Sequence, residues 1–238
     1  GAFKDSSLSL PDGSTYHLSG LEKVILTGGA SDNIIDASGY SRPVIFIGLG
    51  GNDTLIGGSA GDTFLFDADA PLGTDTIIGN GGIDTLDFSN TTAGVTVNLS
   101  ILGPAVQVAN GNLSLRLNDK VENLTGGSGN DTLTGNDLAN VLLGGLGTDI
   151  LAGGLGADVY PMDTDDPLNA KTIVESMADA GHDILDFSGT STLSISLNLS
   201  ILGSPQVVNG NLTLTITGEG LEEVIGGSRD DVIRGNAN

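Results

Sequence analysis

Aspartate recurs at a fixed place in a nine-residue pattern that runs through much of this chain. The pattern reads G-G-x-G-x-D-x-U-x, where U is a large apolar residue, and residues 126–134, 144–152 and 153–161 fit it without a mismatch. Looser copies begin at Gly48, Gly57, Ala70, Gly79, Gly135, Ala178 and Gly226. The sixth position holds an acid in nine of ten copies: Asp53, Asp62, Asp75, Asp84, Asp131, Asn140, Asp149, Asp158, Asp183 and Asp231. Carboxylates at so regular a spacing are candidate ligands for a row of metal ions.

The other positions of the pattern predict how these acids are placed. Glycines allow a sharp turn over the first six residues, and the last three residues extend as a strand with the eighth side chain pointing inward. Two copies then complete one coil of a right-handed solenoid, and copies 18 residues apart stack. The eighth position is apolar in all ten copies: Leu55, Phe64, Ile77, Leu86, Leu133, Leu142, Leu151, Tyr160, Leu185 and Ile233.

Stacking of this kind places like charges close together, for example Asp131 beside Asp149. Neighbouring carboxylates repel each other unless a cation lies between them. Calcium fits best, because it takes six to eight oxygen ligands, including carboxylates and backbone carbonyls, in a flexible geometry. Magnesium needs a tighter octahedral arrangement, and zinc prefers histidine or cysteine, of which the chain has two and none.

Composition excludes several classes of partner. The chain has 30 acidic and 8 basic residues, giving a formal net charge of -22, which repels nucleic acid and anionic membranes and attracts small cations. The sequence contains no apolar run long enough for a membrane span, so we expect no membrane insertion. Aromatic residues are 4% of the total and 38 residues are glycine, so the apolar residues must form a thin repeated layer.

A second period of roughly 100 residues contains the first, as in arrays of one structural unit. The segments 21–24, 121–124 and 221–224 each carry a glutamate at their second residue, and each of them leads into a Gly-Gly pair. Between the glycine-rich tracts, apolar residues alternate with others, which predicts half-buried strands around Val97, Leu115, Leu197 and Leu214. The predicted organisation is 1–27, the end of a preceding unit or an N-terminal cap; 28–87, a first roll tract; 88–125, connecting strands and coils; 126–187, a second roll tract; 188–225, connecting strands and coils; and 226–238, the truncated start of a third tract.

The G-G-x-G-x-D-x-U-x copies resemble the repeat-in-toxin (RTX) family of hemolysin-type calcium-binding repeats. This resemblance implies an all-β fold, a right-handed parallel β-roll or β-solenoid with stacked calcium-binding turns. It also implies several calcium ions, each held by sixth-position carboxylates and by alternate backbone carbonyls of neighbouring turns. The candidate ligands are therefore the ten sixth-position side chains given above and the backbone of Gly48, Gly50, Gly58, Ala60, Gly73, Asn80, Gly82, Gly127, Gly129, Gly145, Gly147, Gly154 and Gly156.

Within this scheme, Asp131 pairs with Asp149 and Asn140 with Asp158. In the first tract, the four-residue insertion 66–69 keeps the phase if it bulges outward, and then Asp53 pairs with Asp75 and Asp62 with Asp84. Three departures from the pattern are expected to weaken their sites: Asn140 replaces the acid, and Ala60 and Arg229 replace the fourth-position glycine. The copy at Gly28 has its acid one place early, at Asp32, and is interpreted as a cap or a half site.

Two classes of function agree with these features. The first is a structural or adhesin-type repeat module of a secreted or cell-surface bacterial protein, which folds on calcium binding and contacts polysaccharide or cell-surface components. The second is the auxiliary calcium-binding module of a secreted protease, lipase or polysaccharide-modifying enzyme whose catalytic domain lies outside this chain. The resemblance implies export by type I secretion. We expect no catalysis by the chain itself, because the G-x-S-x-G sequence around Ser59 lies inside a predicted calcium turn without a following helix.

Overall fold

The described part of the protein consists of short strands and the turns between them. The computed structural model describes residues 6–9, 15–18, 24–175 and 181–235. These residues form strands and no helix, so none of them belongs to a helix that could cross a bilayer. Two compact units are present: the first comprises Gly1–Ala93 and Leu99–Asn123, and the second comprises Gly94–Asn98 and Leu124–Asn238. Part of the predicted N-terminal segment 1–27 and residues 178–180 of the copy at Ala178 lie outside the described residues.

The strands are short because turns, many of them rich in glycine, separate the repeat strands. In chain order the first twelve are β1 (Ser6–Ser9), β2 (Thr15–Leu18), β3 (Val24–Thr27), β4 (Ile34–Asp36), β5 (Val44–Ile47), β6 (Thr54–Ile56), β7 (Thr63–Leu65), β8 (Gly73–Ile78), β9 (Thr85–Asp87), β10 (Thr96–Asn98), β11 (Gln107–Val108) and β12 (Leu113–Leu117). The remaining twelve are β13 (Asn123–Thr125), β14 (Thr132–Thr134), β15 (Val141–Leu143), β16 (Thr148–Ala152), β17 (Val159–Pro161), β18 (Asn169–Val174), β19 (Asp183–Asp186), β20 (Ser196–Asn198), β21 (Gln206–Val207), β22 (Leu212–Thr217), β23 (Leu221–Ile225) and β24 (Val232–Arg234).

Successive strands of the glycine-rich repeats, β4 to β9 and β14 to β19, alternate between two sheets within each unit. In the first unit, one sheet has the order β11-β12-β8-β6-β4-β1-β2, and β3, β5, β7 and β9 pair side by side in the other. In the second unit, one sheet has the order β10-β14-β16-β18-β22-β21, β15, β17, β19 and β23 follow one another in the other, and β20 pairs with β24. Pairing between repeat strands is parallel. A chain that alternates between two parallel sheets forms coils, which confirms the all-β parallel β-roll.

The pairing register follows the repeat period. Leu133 lies opposite Leu151 in the second unit, which corresponds to a coil of two nonapeptides. Leu55 lies opposite Ile77 in the first unit, where the insertion 66–69 lengthens the coil. The phase of the strands survives the insertion, as the sequence predicted.

The insertion itself differs from the prediction that it bulges outward. Phe66 and Ala68 are buried, whereas Asp67 and Asp69 are exposed. The rings of Phe66 and Phe88 stack with their centroids 5.3 Å apart. Alternate residues of the insertion therefore continue the inward and outward pattern of the strand. Burial of the Phe66 side chain stabilises this arrangement relative to an outward loop that would expose the ring to water.

The core is a thin layer of eighth-position side chains between the sheets. Nine of the ten predicted core residues have no exposed surface: Leu55, Phe64, Ile77, Leu86, Leu133, Leu142, Leu151, Tyr160 and Leu185. The prediction is wrong for Ile233, which is 37% exposed. Its strand, β24, pairs with β20 alone among the residues described, so no further coil covers this side chain.

Candidate metal centres

The sixth-position acids of the first unit lie inside the turns and not in solvent. Asp53, Asp62, Asp75 and Asp84 are each at most 1% exposed. The backbone N–H of Asp53 donates to Asp75 Oδ1 at 2.9 Å, and the N–H of Asp62 donates to Asp84 Oδ1 at 2.8 Å. One oxygen of each carboxylate is thus hydrogen-bonded to the preceding coil, and the structure brings both predicted pairs together.

The second unit repeats this arrangement on its two sides. The N–H of Asp131 donates to Asp149 Oδ1 at 2.8 Å, and the N–H of Asn140 donates to Asp158 Oδ1 at 2.7 Å. The N–H of Asp158 donates in turn to Asp183 Oδ1 at 2.8 Å. All five side chains are buried, so the sixth positions form a continuous column on each side of the roll.

The second oxygen of each carboxylate, Oδ2, is the candidate metal ligand. In the part of the chain that the structure describes, no hydrogen-bond donor reaches the buried atoms Asp53 Oδ2 and Asp75 Oδ2. A buried carboxylate oxygen without a partner is costly, because it has lost the water that would otherwise solvate it. Other copies partly compensate with a backbone donor, since the N–H of Gly58 donates to Asp62 Oδ2 at 2.6 Å and that of Gly127 donates to Asp131 Oδ2 at 2.8 Å.

The electrostatics of the carboxylates agree with this geometry. Burial, together with the neighbouring acids Asp53 and Asp62 and against the lowering effect of a backbone hydrogen bond, raises the pKa of Asp75 to about 7 and that of Asp84 to about 7. Burial also raises the pKa of Asp149 to about 6, against the lowering effect of nearby Lys171. Carboxylates that resist ionisation in this way are stabilised by a cation between them, so the donor set suits a hard metal ion that binds oxygen.

First-position glycines make room for these carboxylates. A Cβ atom on Gly57 would lie 2.6 Å from Asp62 Oδ2, and one on Gly144 would lie 2.7 Å from Asp149 Oδ2. Because real Cβ atoms do not approach so closely, any larger residue would push the acid out of its turn. The glycine at this position is therefore required by the approach of its own sixth-position acid and not by an unusual backbone angle.

At several fourth positions a glycine is needed for a different reason, which is the backbone angle. Gly51, Gly82 and Gly147 have φ angles of 118°, 107° and 100° respectively, in a region that side chains disfavour. This turn directs backbone carbonyls toward the neighbouring coil, and Gly147 O lies 3.0 Å from Lys171 Nζ. Two candidate carbonyls already accept inter-coil hydrogen bonds, since Gly81 N donates to Gly58 O at 3.2 Å and Leu146 N donates to Gly127 O at 3.0 Å.

Glutamates extend one column in each unit, which the sequence interpretation missed. Glu122 Oε2 accepts a hydrogen bond from Asp84 N at 2.8 Å, and Glu222 Oε2 accepts one from Asp183 N at 2.8 Å. The signal was present, because Glu122 lies two residues before the buried Leu124 and four before the next Gly-Gly pair, as a sixth-position aspartate does. The long-period counterpart Glu22 lies outside the described residues.

A third buried acid joins the column of the second unit. Asp158, Glu175 and Asp183 are all buried and offer carboxylate oxygens that lie within 4.8 Å of one another. Glu175 Oε1 accepts a hydrogen bond from the hydroxyl of Tyr160, which in turn accepts one from Gly153 N at 2.7 Å. Asp158 and Asp183 were predicted from the repeat, whereas Glu175 falls outside it and had no sequence signal.

The copies at the two ends differ in detail from the pattern. In the copy at Gly28, Asn33 takes the sixth place, since its Oδ1 accepts a hydrogen bond from Gly29 N at 2.5 Å and its N–H donates to Asp53 Oδ1 at 2.8 Å. Asp32 instead accepts a hydrogen bond from Asn52 N at 2.7 Å at the exposed edge. In the last copy, Asp231 is half-buried and its Oδ1 accepts a hydrogen bond from Ile195 N at 2.8 Å.

The serine of the G-x-S-x-G sequence is not placed for catalysis in the manner of a hydrolase. Ser59 is exposed in the turn between β6 and β7, and its backbone N–H donates to Tyr40 O at 3.1 Å. A hydrolase nucleophile of this motif lies between a strand and a helix, whereas strands precede and follow Ser59.

Comparison with known protein families agrees with the geometry. Residues 45–70, 72–87, 123–160 and 216–238 match the family model of the RTX calcium-binding nonapeptide repeat, in four copies. These four segments, a little under half of the chain, are similar to RTX calcium-binding nonapeptide repeats. No match to the chain was found among curated proteins. The RTX repeat is a structural calcium-binding module typical of secreted bacterial proteins, and the match supports calcium as a partner of this chain.

Proposed function

We propose that the chain is a segment of a secreted or cell-surface bacterial protein, in which it serves as a structural, adhesin-type repeat module that folds when calcium binds. The observation that carries this proposal is the pair Asp53 and Asp75. Two buried acids in successive coils each present an oxygen that no donor reaches within residues 24–175 and 181–235. A calcium ion supplies two positive charges and can be coordinated by both oxygens. It therefore offsets the free-energy cost of burying the two carboxylates and the repulsion between them.

The ligands proposed for the first unit are the carboxylates of the pairs Asp53–Asp75 and Asp62–Asp84, with backbone carbonyls of their turns. In the second unit they are the carboxylates of Asp131, Asp149, Asp158 and Asp183. Asn140 brings a neutral amide to the column, so its site has one negative charge fewer and is expected to bind calcium more weakly. The division of the chain into the roll tracts 28–87 and 126–187, separated by connecting segments, is part of the same proposal.

Coupling of folding to calcium follows from the positions of the acids. In the unfolded chain each carboxylate is solvated and distant from its partner, so the ion-binding sites form only with the coils. Binding free energy then contributes directly to folding free energy. Extracellular calcium modules have Kd values of about 10⁻⁴ to 10⁻³ M. We infer that the acidic chain stays unfolded at cytosolic calcium concentrations, is exported by type I secretion and folds outside the cell.

The period of roughly 100 residues supports a role as a repeated spacer module. The same order of turn column, glutamate and alternating strands occurs in both units, which is the pattern of an array that gains length by adding units. A module of this type holds other parts of a protein at a distance from the cell. Polysaccharide or another cell-surface component is the partner proposed for the parent protein.

Circular dichroism during a calcium titration tests the proposal. Starting from chelator-treated protein, β-structure should appear cooperatively as calcium is added and should not appear with magnesium at the same concentrations. The variant Asp75→Asn should shift the midpoint to higher calcium. Complete β-structure in chelator, unchanged by calcium, would show that folding is not coupled to the ion.

A further inference from the structure

Lys171 is the one basic residue among the fully buried side chains of the described residues, and it lies in a turn column. It is 2% exposed and belongs to β18, where it lies opposite Asp149 of β16. Two residues later, Ile173 is fully buried. Lys171 thus has the sixth place and Ile173 the eighth place of a coil that the repeat pattern does not recognise, because the acid is missing.

The ammonium group of Lys171 has the surroundings of a bound cation. Its Nζ lies 2.8 Å from Asp149 Oδ2 and donates to Gly147 O at 3.0 Å and to Leu168 O at 2.5 Å. One carboxylate and one carbonyl therefore come from the turn of β16, and a second carbonyl comes from the turn of β18. These are oxygen ligands from two neighbouring turns, the donor types proposed for calcium.

The first unit has an acid at the equivalent position. Residues 70–78 read A-P-L-G-T-D-T-I-I and residues 166–174 read D-P-L-N-A-K-T-I-V, so Asp75 corresponds to Lys171. The fourth positions have the same left-handed backbone, with φ of 94° at Gly73 and 64° at Asn169. Pairing also corresponds, because β8 follows β6 in its sheet as β18 follows β16. The two turns thus share the left-handed fourth position, and they differ in charge at the buried sixth position, Asp75 or Lys171, and at the exposed first position, Ala70 or Asp166.

The charge at the sixth position, negative at Asp75 and positive at Lys171, determines whether a pair of turns needs a bound cation. Between β6 and β8, Asp53 and Asp75 bring two carboxylates whose Oδ2 atoms have no donor among the described residues. Between β16 and β18, Asp149 and Lys171 bring one carboxylate and one ammonium in contact. On the side of Asp149 that faces β18, Nζ takes the space that a metal ion would need, so the β16–β18 junction does not fit a calcium ion and Asp149 is a candidate ligand only toward the turn of β14.

We propose that Lys171 is a built-in cation that replaces calcium between the turns of β16 and β18. The second unit then binds one ion fewer than the first at the corresponding place, and this junction between coils forms without calcium. The proposal rests on the proposed function, because it assumes that the Asp53–Asp75 pair does bind calcium. A lysine at a sixth position would then identify, in any such array, a junction that needs no ion.

Reciprocal variants test the proposal by counting ions. Lys171→Asp restores the acid pair of the first unit and should bind one more calcium ion than the unmodified protein in equilibrium dialysis at saturating calcium. Asp75→Lys introduces the ammonium into the first unit and should bind one ion fewer. The control variant Lys120→Asp changes a lysine that is half-exposed and outside the sixth positions, and it should leave the count unchanged.

A second measurement covers the case in which Lys171→Asp is unfolded without calcium. The slope of its unfolding free energy against the logarithm of calcium concentration reports the ions bound on folding, and it should increase by one ion. An unchanged count and slope, or a variant that stays unfolded at saturating calcium, would overturn the role of Lys171. Absence of calcium binding to the unmodified protein would instead overturn the proposed function, and the role of Lys171 with it.

Discussion

Asp75 Oδ1 accepts a hydrogen bond from the backbone N–H of Asp53 at 2.9 Å, while the Oδ2 atoms of both residues are buried without a donor among the residues described. The carboxylates of Asp53 and Asp75 therefore each have two roles. One oxygen fixes the register between successive coils, and the other is left for a cation. An aspartate serves both roles at once, and its replacement should separate them.

Asp75→Asn keeps the side-chain oxygen that Asp53 N needs but removes one negative charge. We expect the coil register to persist at saturating calcium and the apparent affinity of this site to fall by roughly tenfold, which corresponds to about 1.4 kcal/mol. Isothermal titration calorimetry measures the affinity. The control is Asp166→Asn, which removes the same charge from an exposed acid outside the sixth positions. An equal loss of affinity in both variants would mean that net charge, and not the site, determines binding.

The sequence predicted the coil and the pairing of the acids because both follow from a strict period. Asp53 and Asp75 remain in phase although an insertion separates their copies, since each is followed two residues later by a core residue, Leu55 or Ile77. The role of Asp75 Oδ1 as an acceptor for the preceding coil was not predicted, because it depends on the distance between stacked turns. That distance is a property of the folded roll and not of one repeat.

Residues that keep the phase but change the chemical type were missed for a related reason. Lys171 and Glu122 each lie two residues before a fully buried side chain, Ile173 and Leu124. A motif defined by aspartate does not recognise them, whereas the position of the apolar residue does. Glu175 is a different case, since its place beside Asp158 and Asp183 results from packing between coils and has no regular spacing.

Gly57→Ala tests the requirement for a glycine at the first position. The added Cβ would lie 2.6 Å from Asp62 Oδ2 and 2.6 Å from Gly79 O. We expect a loss of about 1–3 kcal/mol of unfolding free energy at saturating calcium, as for other overpacked sites, together with weaker calcium binding. Chemical denaturation measures the first effect. Gly111→Ala is the matched control, because a Cβ there meets no atom within 4 Å. Similar stability of the two variants would contradict the steric explanation.

Leu133→Ala tests the thin core. Leu133 is fully buried at an eighth position, so its truncation leaves a cavity that neighbouring coils cannot easily fill. We expect a loss of about 2–5 kcal/mol in the calcium-bound protein. Leu146→Ala provides the comparison, because Leu146 is 39% exposed in a turn and its change should stay within about 0.5 kcal/mol. Denaturation at saturating calcium measures both values, and a small effect at Leu133 would show that the eighth positions do not carry the core.

Protons and calcium should compete for the same carboxylates. Burial raises the pKa of Asp75 and of Asp84 from 3.8 to about 7 in the calcium-free fold. A raised folded-state pKa means that the folded chain binds protons more tightly than the unfolded chain. These acids therefore favour the calcium-free fold fully below about pH 4, and this contribution is lost as the pH rises through about 7.

The expected result is opposite in the two conditions. Without calcium, acidification from about pH 8 to about pH 5 should increase β-structure in circular dichroism, because protonation removes the charges that oppose stacking. With calcium, binding should strengthen over the same range as the pH rises, because the ion must displace protons. The double variant Asp75→Asn/Asp84→Asn should flatten both profiles. If it leaves the pH dependence of the calcium-free protein intact, other acids must control the folding of the roll, and the buried pairs would not be the groups at which calcium replaces protons.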